Sequence, residues 1–511
     1  MLEFHSARRL SRVAVLMAIF TSTACAVGPD FHRLAAPDVD RYTVEAEPAK
    51  TVSTDVKGGE PQAFVAQMDI PGQWWNVFHS RALNDLITRA LKANPDIEAA
   101  RAALQNAKES AAAQRGAFFP SVEATLSPTG QKVGTALASP LASGATLYGL
   151  HTAQVSVGYT IDVFGGTRRQ VESAEAQAEY QRFQVEAAYL TLSSNVVAAA
   201  VAEAALRGQI AATRRLIEIQ ENSLKLLRDQ YDAGQVAQVD VLAQEAALAQ
   251  TRMMLPPFEK QLAQGRDLLT RLAGEFPSAS FDAQFDFSSL DLPQELPLTL
   301  PAELVEQRPD VRAAEALLHS ATADVGVAVA NRLPNITLSA DLGVVATSIG
   351  QLFTPGAGFW TLAGNIIQPI FEGGALLHRQ LAAEAALREA VAQYKGTVLT
   401  AFQNVADTLH AIQFDAQTLR AAVDAERAAA KSLEITRAQL ALGDVSYLAL
   451  LNAEQTYQQA VMAKVQALAS RYADTAALFQ ALGGGWWNRP QEGAEVAENK
   501  SRTRAGDDAA N

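Results

Sequence analysis

Residues 154–166 read QVSVGYTIDVFGG. Val155, Val157, Tyr159 and Ile161 fall on one face of an extended chain, with Gln154, Ser156, Gly158, Thr160 and Asp162 on the other. That is the period-2 alternation of a strand with one apolar side. No second strand follows. Gly165-Gly166 instead opens a stretch of roughly 65 residues without proline, enough for a helix of about 100 Å at 1.5 Å per residue. Any fold for this chain has to explain why an oily-sided strand feeds so long a helix.

The same passage occurs twice. NPDIEAARAALQ from Asn94 matches RPDVRAAEALLH from Arg308, and FFPSV around Pro120 matches RLPNI around Pro334, both pairs 214 positions apart. Farther along, Glu175, Asn195, Gly234 and Glu245 correspond to Glu384, Asn404, Gly443 and Glu454, each 209 apart, so a loop between strands differs in length by a few residues. The chain of 511 residues therefore divides into two copies of one plan, 81–290 and 291–487, each expected to run helix, strand, strand, long helix, turn, helix.

In the second copy PNITLSADLGV sets Ile336, Leu338, Ala340, Leu342 and Val344 against Asn335, Thr337, Ser339, Asp341 and Gly343. SVEATLS (121–127) and WTLAGNIIQPIF (360–371) are blurred versions, and glycine-, serine- and proline-rich loops span 135–149 and 347–358. These strands are near the 9 to 11 residues that a tilted strand needs to cross a bilayer. A soluble sandwich is the other home for a strand with one apolar face. Four strands set between long helices, however, cannot cover that face and leave two unpaired edges. A membrane barrel must close and starts at about eight strands, so several identical chains would have to contribute.

The helices carry a narrow seam. Val185, Tyr189, Leu192, Val196, Ala199, Leu206, Ile210, Ile217, Leu224, Leu227 and Tyr231 step by threes and fours, interrupted by Glu203, Thr213 and Gln220. Tyr394, Val398, Ala401, Val405, Thr408, Ile412, Leu419, Leu433 and Leu440 repeat it. Such a seam on an alanine-rich surface suits helices laid side by side as a coiled-coil wall.

Net charge is −13 with no basic stripe, which argues against nucleic acid as a partner. Beyond the first residues there is no run of 18 apolar residues, so a membrane-spanning helix is not expected. There is no P-loop, G-x-S-x-G, H-E-x-x-H or calcium loop, and the seven histidines are scattered. Carboxylates such as Glu172 and Glu175 sit on repetitive helix faces. No catalytic residue, metal ligand or cofactor site is assigned, and the chain is not read as an enzyme. The first 24 residues have the layout of a secretory signal, with Arg8, Arg9 and Arg12 before VAVLMAIF (13–20) and Ser22-Thr23-Ala24 before Cys25, the only cysteine. The tail, 488–511, is charged and nearly free of large apolar residues, as in disordered segments.

STACAVGPDF (22–31) resembles the lipobox and mature start of bacterial outer-membrane efflux lipoproteins. QWWNVFHSRALNDLITRALKANPDIEAARA (73–102), the IDVFGG and PIFEGG joints, the two turns and the closing LGGGWW (482–487) extend the likeness over nearly the whole mature chain. Together they resemble the outer-membrane factor family, the TolC-like channels, and its lipoprotein branch most closely. The resemblance implies a mixed α/β chain of mostly long helices. It implies a homotrimer whose four strands per chain make a 12-stranded outer-membrane β-barrel, continuing into a periplasmic α-helical coiled-coil barrel. Residues 25–80 would carry the lipid at Cys25 and build part of an equatorial domain.

The implied function is a passive exit duct for small molecules in a tripartite efflux system. Its partners would be outer-membrane lipid, a periplasmic adaptor and an inner-membrane efflux pump, with no cofactor. An outlet for type I protein secretion and a purely structural coiled-coil lipoprotein are the alternatives. In the family the turns receive the adaptor, which transfers that contact to Ala233, Gly234, Gln235, Val236 and Ala237, and to Leu442, Gly443, Asp444, Val445 and Ser446. Asp240 matches an acidic position near the family's gate, and Asp444 is a second gate candidate, because Ala449 and Asn452 stand where relatives carry an acidic ring.

Overall fold

The computed structural model describes residues 26–489 except 46–47, 135, 137–140, 142 and 280–281. The segment expected to be a secretory signal, Cys25 and the tail from 490 onward lie outside the described residues. In chain order the elements are β1 (Ala63–Ala66), α1 (Arg81–Ala93), α2 (Pro95–Arg115), β2 (Ser121–Lys132), β3 (Leu147–Ile161), α3 (Gly166–Asp232) and α4 (Gln238–Leu272). They continue with β4 (Glu295–Leu298), α5 (Pro301–Gln307), α6 (Pro309–Ala330), β5 (Asn335–Ala346), β6 (Gly358–Ile367), α7 (Ala375–Leu442) and α8 (Tyr447–Ala481). β3 leads through residues 162–165 into α3, a helix of 67 residues, and its counterpart α7 has 68.

Three expectations need adjusting. The helix before each strand pair is broken in two, at Asn94-Pro95 and at Arg308-Pro309, because proline offers no N–H to a continuing helix and holds the residue before it extended. β2 passes through Pro128 to Lys132, farther than the alternation suggested; it is an outermost strand, where a missing N–H is tolerated. β6 stops at Ile367 and not at Phe371, just short of Pro369.

The chain forms two compact units, and neither is a half of the sequence. The first takes 26–33, Leu104–Gln181 and Ala314–Tyr394. It holds one antiparallel sheet of order β2-β3-β5-β6. β3 from the first copy pairs with β5 from the second, Val157 opposite Ala340 and Ile161 opposite Ile336. Pairing across the copies is why contact does not follow the repeat.

The second unit takes Leu34–Ala103, Arg182–Ala313 and the chain from Lys395. Here β1 and β4 pair in parallel, and an aromatic core gathers around them: Trp74 stacks on Phe479 at 5.6 Å, and Tyr472 donates to the Leu290 carbonyl at 3.1 Å. Residues from before the first copy, from the junction of the two copies and from α8 near the end of the second thus share one core. The coiled-coil seam is buried as its spacing requires, Val196, Val405, Ile412 and Leu419 completely, and its polar interruptions Glu203, Thr213 and Gln220 are buried with it. Tyr231, expected to end the seam, is exposed instead, because the helix stops one residue later. By length and composition α3 passes as a membrane span, but half of the apolar window responsible is buried within the chain.

Two details fix the hairpins. Along the α3–α4 pair, Arg228–Glu245 (2.5 Å), Glu221–Arg252 (2.6 Å) and Arg214–Glu259 (2.7 Å) form ionic rungs that step by seven residues on each helix. At the far end, Asn94 Nδ2 donates to the Leu272 carbonyl at 3.0 Å, and Arg308 Nη1 to the Ala481 carbonyl at 2.9 Å. Each copy thus seals the C-terminal end of its returning helix with the residue before its helix-starting proline, satisfying carbonyls that a helix end leaves orphaned.

Candidate functional site

The register separates the two faces of the sheet. Val122, Ala124 and Leu126 of β2, Val155, Val157 and Tyr159 of β3, Leu338 and Leu342 of β5, and Trp360, Leu362 and Ile366 of β6 align across the strands. Most large residues on this face are exposed, with Leu342 68%, Leu362 74% and Trp360 76%, while Val157 and Tyr159 of the inner strand β3 are half-buried. The other face carries Glu123, Thr125, Gln154, Ser156, Thr337, Asp341, Thr361 and Asn365. There Ser156 donates to Asp341 at 2.6 Å and Gln154 to Ser156 at 3.1 Å. An exposed apolar face of this extent marks a surface meant for lipid or a partner. The outer sides of β2 and β6 have no strand beside them in the described chain.

In the same unit the segment 26–33 is strapped to α3 and α6. Arg169 is buried and donates to Asp30 at 2.6 Å, to Glu172 at 2.7 Å and to the Val27 carbonyl at 3.2 Å. Burial works against its charge, but these bonds outweigh it and raise its pKa, and the bond from Arg169 pulls Asp30 below the usual carboxylate range. Phe31 stacks on His319 at 4.3 Å and Arg33 pairs with Glu315 at 2.6 Å. The chain immediately after Cys25 is thus held at the base of the sheet.

In the second unit the two turns have one geometry. Gly234 (φ +76°) and Gly443 (φ +79°) adopt the left-handed conformation that glycine tolerates, and each ends its helix. Gly234 donates to the Tyr231 carbonyl and Gln235 to that of Gln230; Gly443 donates to Leu440 and Asp444 to Gln439. These paired bonds are the Schellman closure of a helix C-terminus. Ala233, Gly234, Gln235, Ala237, Leu442, Gly443, Asp444 and Ser446 are exposed, and Val236 and Val445 half-buried. Behind them Leu224, Leu227, Val241, Leu248, Leu433, Tyr447 and Leu450 form one cluster drawn from α3, α4, α7 and α8, so the turns of one chain are presented side by side. Asp240 is half-buried, and its charge reaches the buried Tyr447, whose pKa is raised by burial first and then by Glu454 and Asp240. Asp444 is exposed in the second turn.

Sequence reasoning missed three buried polar side chains beside this cluster, Gln220, Gln244 and Glu454, the last bonded to the half-exposed Arg437. Gln220 did announce itself as a break in the apolar seam. Glu454 did not, because its repeat partner Glu245 lies on an exposed face. Among the described residues no cluster of three or more His, Cys, Asp or Glu is placed to hold a metal.

The comparisons agree with this architecture. Residues 86–275 and 300–484 match the family described as outer membrane efflux protein. The chain is 28% identical to a toluene efflux pump outer membrane protein of Pseudomonas putida, over 95% of this chain and 98% of that protein. It is 31% identical to a pyoverdine export outer membrane protein of Pseudomonas aeruginosa, over 81% of this chain and 87% of that one. Among solved structures it is similar to the outer-membrane channel OprN, at 28% identity and a TM-score of 0.79, covering 90% of this chain and all of that one. With both halves matched, the chain belongs to the outer membrane efflux protein family and is an outer-membrane channel component of an efflux system.

Proposed function

We propose that the chain is one third of a passive exit duct. Three copies would pair β6 of one with β2 of the next and close a 12-stranded barrel, the apolar face against lipid and the Ser156–Asp341 face lining the pore. The observation that carries this reading is the conjunction of a bare apolar face with two unpaired strand sides in a four-stranded sheet. Hydrocarbon satisfies no backbone group, so such a sheet is stable in a membrane only when closed. The repeats 81–290 and 291–487 would each supply a strand pair and a hairpin, with residues 25–80 joining them in an equatorial belt.

Cys25 would carry acyl chains, and the strap at 26–33 supports this by holding its neighbours beside the sheet. One saturated chain anchors marginally, so more than one is expected. The paired turns would receive the hairpins of a periplasmic adaptor joined to an inner-membrane pump, which supplies the energy and selects the cargo. Relatives named for toluene and pyoverdine export favour small-molecule cargo over protein secretion.

The test combines size and crosslinking of the detergent-extracted protein with acyl-chain labelling and drug resistance in cells lacking their own channel. Expected are a trimer, label lost in Cys25→Ala, and resistance lost in the Gly234→Pro, Gly443→Pro double variant while it still reaches the outer membrane. A monomer overturns the duct, unlabelled wild type the anchor, and undiminished resistance the docking at the turns.

A further inference from the structure

The seam between α3 and α8 opens in mid-length. At Gly208 of α3 the helices approach closely, since a β-carbon there would stand 3.2 Å from a methyl of Val465 in α8. Nearer the turns, Ile217 and Tyr457 pack against the leucine-rich cluster. Between these two levels lies a pocket of about 80 Å³, walled by Leu216 and Ile219 from α3 and by Val461 and Met462 from α8. Ala212 is the smallest side chain of the lining and makes the room.

Polar groups stand at the rim of this apolar wall. Arg215 is exposed and Tyr457 half-buried, and both line the pocket. The adjacent Arg214 is paired with Glu259, but among the described residues the Arg215 side chain and the Tyr457 hydroxyl have no hydrogen-bond or ionic partner. Gln458, also in the lining, is already engaged, its amide donating to the Met254 sulfur of α4 at 2.9 Å. Nor does the repeat account for this lining. Moved by 209 positions, Arg215 falls on Asp424, and Leu216 and Ile219 fall on Ala425 and Ala428. The cation and the larger apolar wall thus belong to one copy alone. A concave apolar surface with a few unsatisfied polar groups is the chemistry of a small-molecule site. The charged group in this lining is a guanidinium, whose forked donors suit a carboxylate. Volume sets the size of the partner: a water-sized group takes about 30 Å³ and benzene occupies a cavity of about 150 Å³. A pocket of about 80 Å³ therefore takes about two or three methylene-sized groups, the tail of a short acid and not a ring.

We propose that this pocket is a binding site for a short-chain aliphatic carboxylate, its tail against Leu216, Ile219, Val461 and Met462 and its carboxylate taken by Arg215 and the Tyr457 hydroxyl. A bound acid bridges α3 of the first copy and α8 of the second. Binding calls on groups of one chain and on no transport step, so the site stands apart from the duct reading.

The experiment titrates the full-length, detergent-extracted protein with acetate, propanoate and butanoate, and with butanamide as the uncharged match, and reads binding by saturation-transfer NMR with protein-free micelles subtracted. Affinity should rise about fourfold for each methylene from acetate to butanoate. Butanamide should bind roughly two- to fivefold more weakly than butanoate, as expected for losing one exposed ion pair. Ala212→Leu, which fills the pocket, should bind no butanoate, and Arg215→Gln should bind it as weakly as wild type binds butanamide. Arg214→Gln, beside the pocket but outside its lining, should match wild type. The site is overturned by no transfer above micelles, by affinity independent of chain length, by butanamide equal to butanoate, by Ala212→Leu binding as wild type does, or by Arg214→Gln weakening binding as much as Arg215→Gln does. If Ala212→Leu fails to reach the membrane, the exposed Arg215→Gln decides, and butanoate bound by it as tightly as by wild type sinks the site. A trimer that exports but binds none of these acids removes the pocket and leaves the duct, whereas a monomer that binds them does the reverse.

Discussion

At the scale of single residues, the second unit holds ionisable groups where burial decides their state. Arg471 is fully buried, bonded to Gln62 at 3.3 Å, and its pKa is lowered by burial. Asp415 of α7, near Arg471, is pushed up to about 7 from an ordinary 3.8 by burial and by the adjacent carboxyl of Asp474. The folded chain thus keeps a proton that the unfolded chain gives up. This aspartate's contribution to stability is fully present below pH 3.8 and is lost as pH rises through about 7. Asp415→Asn should therefore raise the melting temperature of the detergent-extracted protein at pH 8, with the gain shrinking steadily towards pH 4; a gain independent of pH would contradict this. None of it was legible in the sequence, because Asp415 and Asp474 are 59 positions apart and only helix packing brings them together. The glycines of the turns were legible, since a reversal between long helices needs a left-handed residue and few others accept that conformation.

Among elements, the helices were easier to read than the strands. A seam of threes and fours repeated over many turns survives a few alanines, whereas two glycines in ten residues of β6 erase an alternation of period two. The strand ends were set by features outside the pattern: Pro369 beyond β6, and for β2 the edge position that admits Pro128. One element breaks its own rule. α4 carries Pro256 and Pro257 in its interior, where each removes a backbone hydrogen bond, while the matching positions of α8 are Val465 and Gln466. The first hairpin should therefore be softer in mid-length than the second. Replacing both prolines by alanine should slow amide exchange around residues 250–260 at least tenfold, leaving α8 unchanged; equal protection before and after would show that neighbouring packing, and not the prolines, sets the stiffness there.

For the molecule as a whole, the sheet supplies the sharpest test. Leu342 and Thr337 lie on one strand and face opposite ways. On a lipid-facing barrel position, arginine costs roughly 2–4 kcal/mol at the bilayer midplane, and far less when it faces water. Leu342→Arg should abolish the heat-resistant oligomer in the outer membrane, and Thr337→Arg should leave it assembled with altered permeation. Equal effects would mean that the two faces meet the same medium. The need for further copies was legible from four strands too few to close, but the two compact units were not, because they arise from pairing between halves that look alike. The ionic rungs of the first hairpin have one more consequence. Each step of seven down one arm is met by seven up the other, and the Asn94 cap pins the far end. A deletion confined to one arm would slide every charge past its mate. This hairpin can be shortened or lengthened only by excising or adding equal heptads on both arms, so its reach is quantised in increments of about 10 Å.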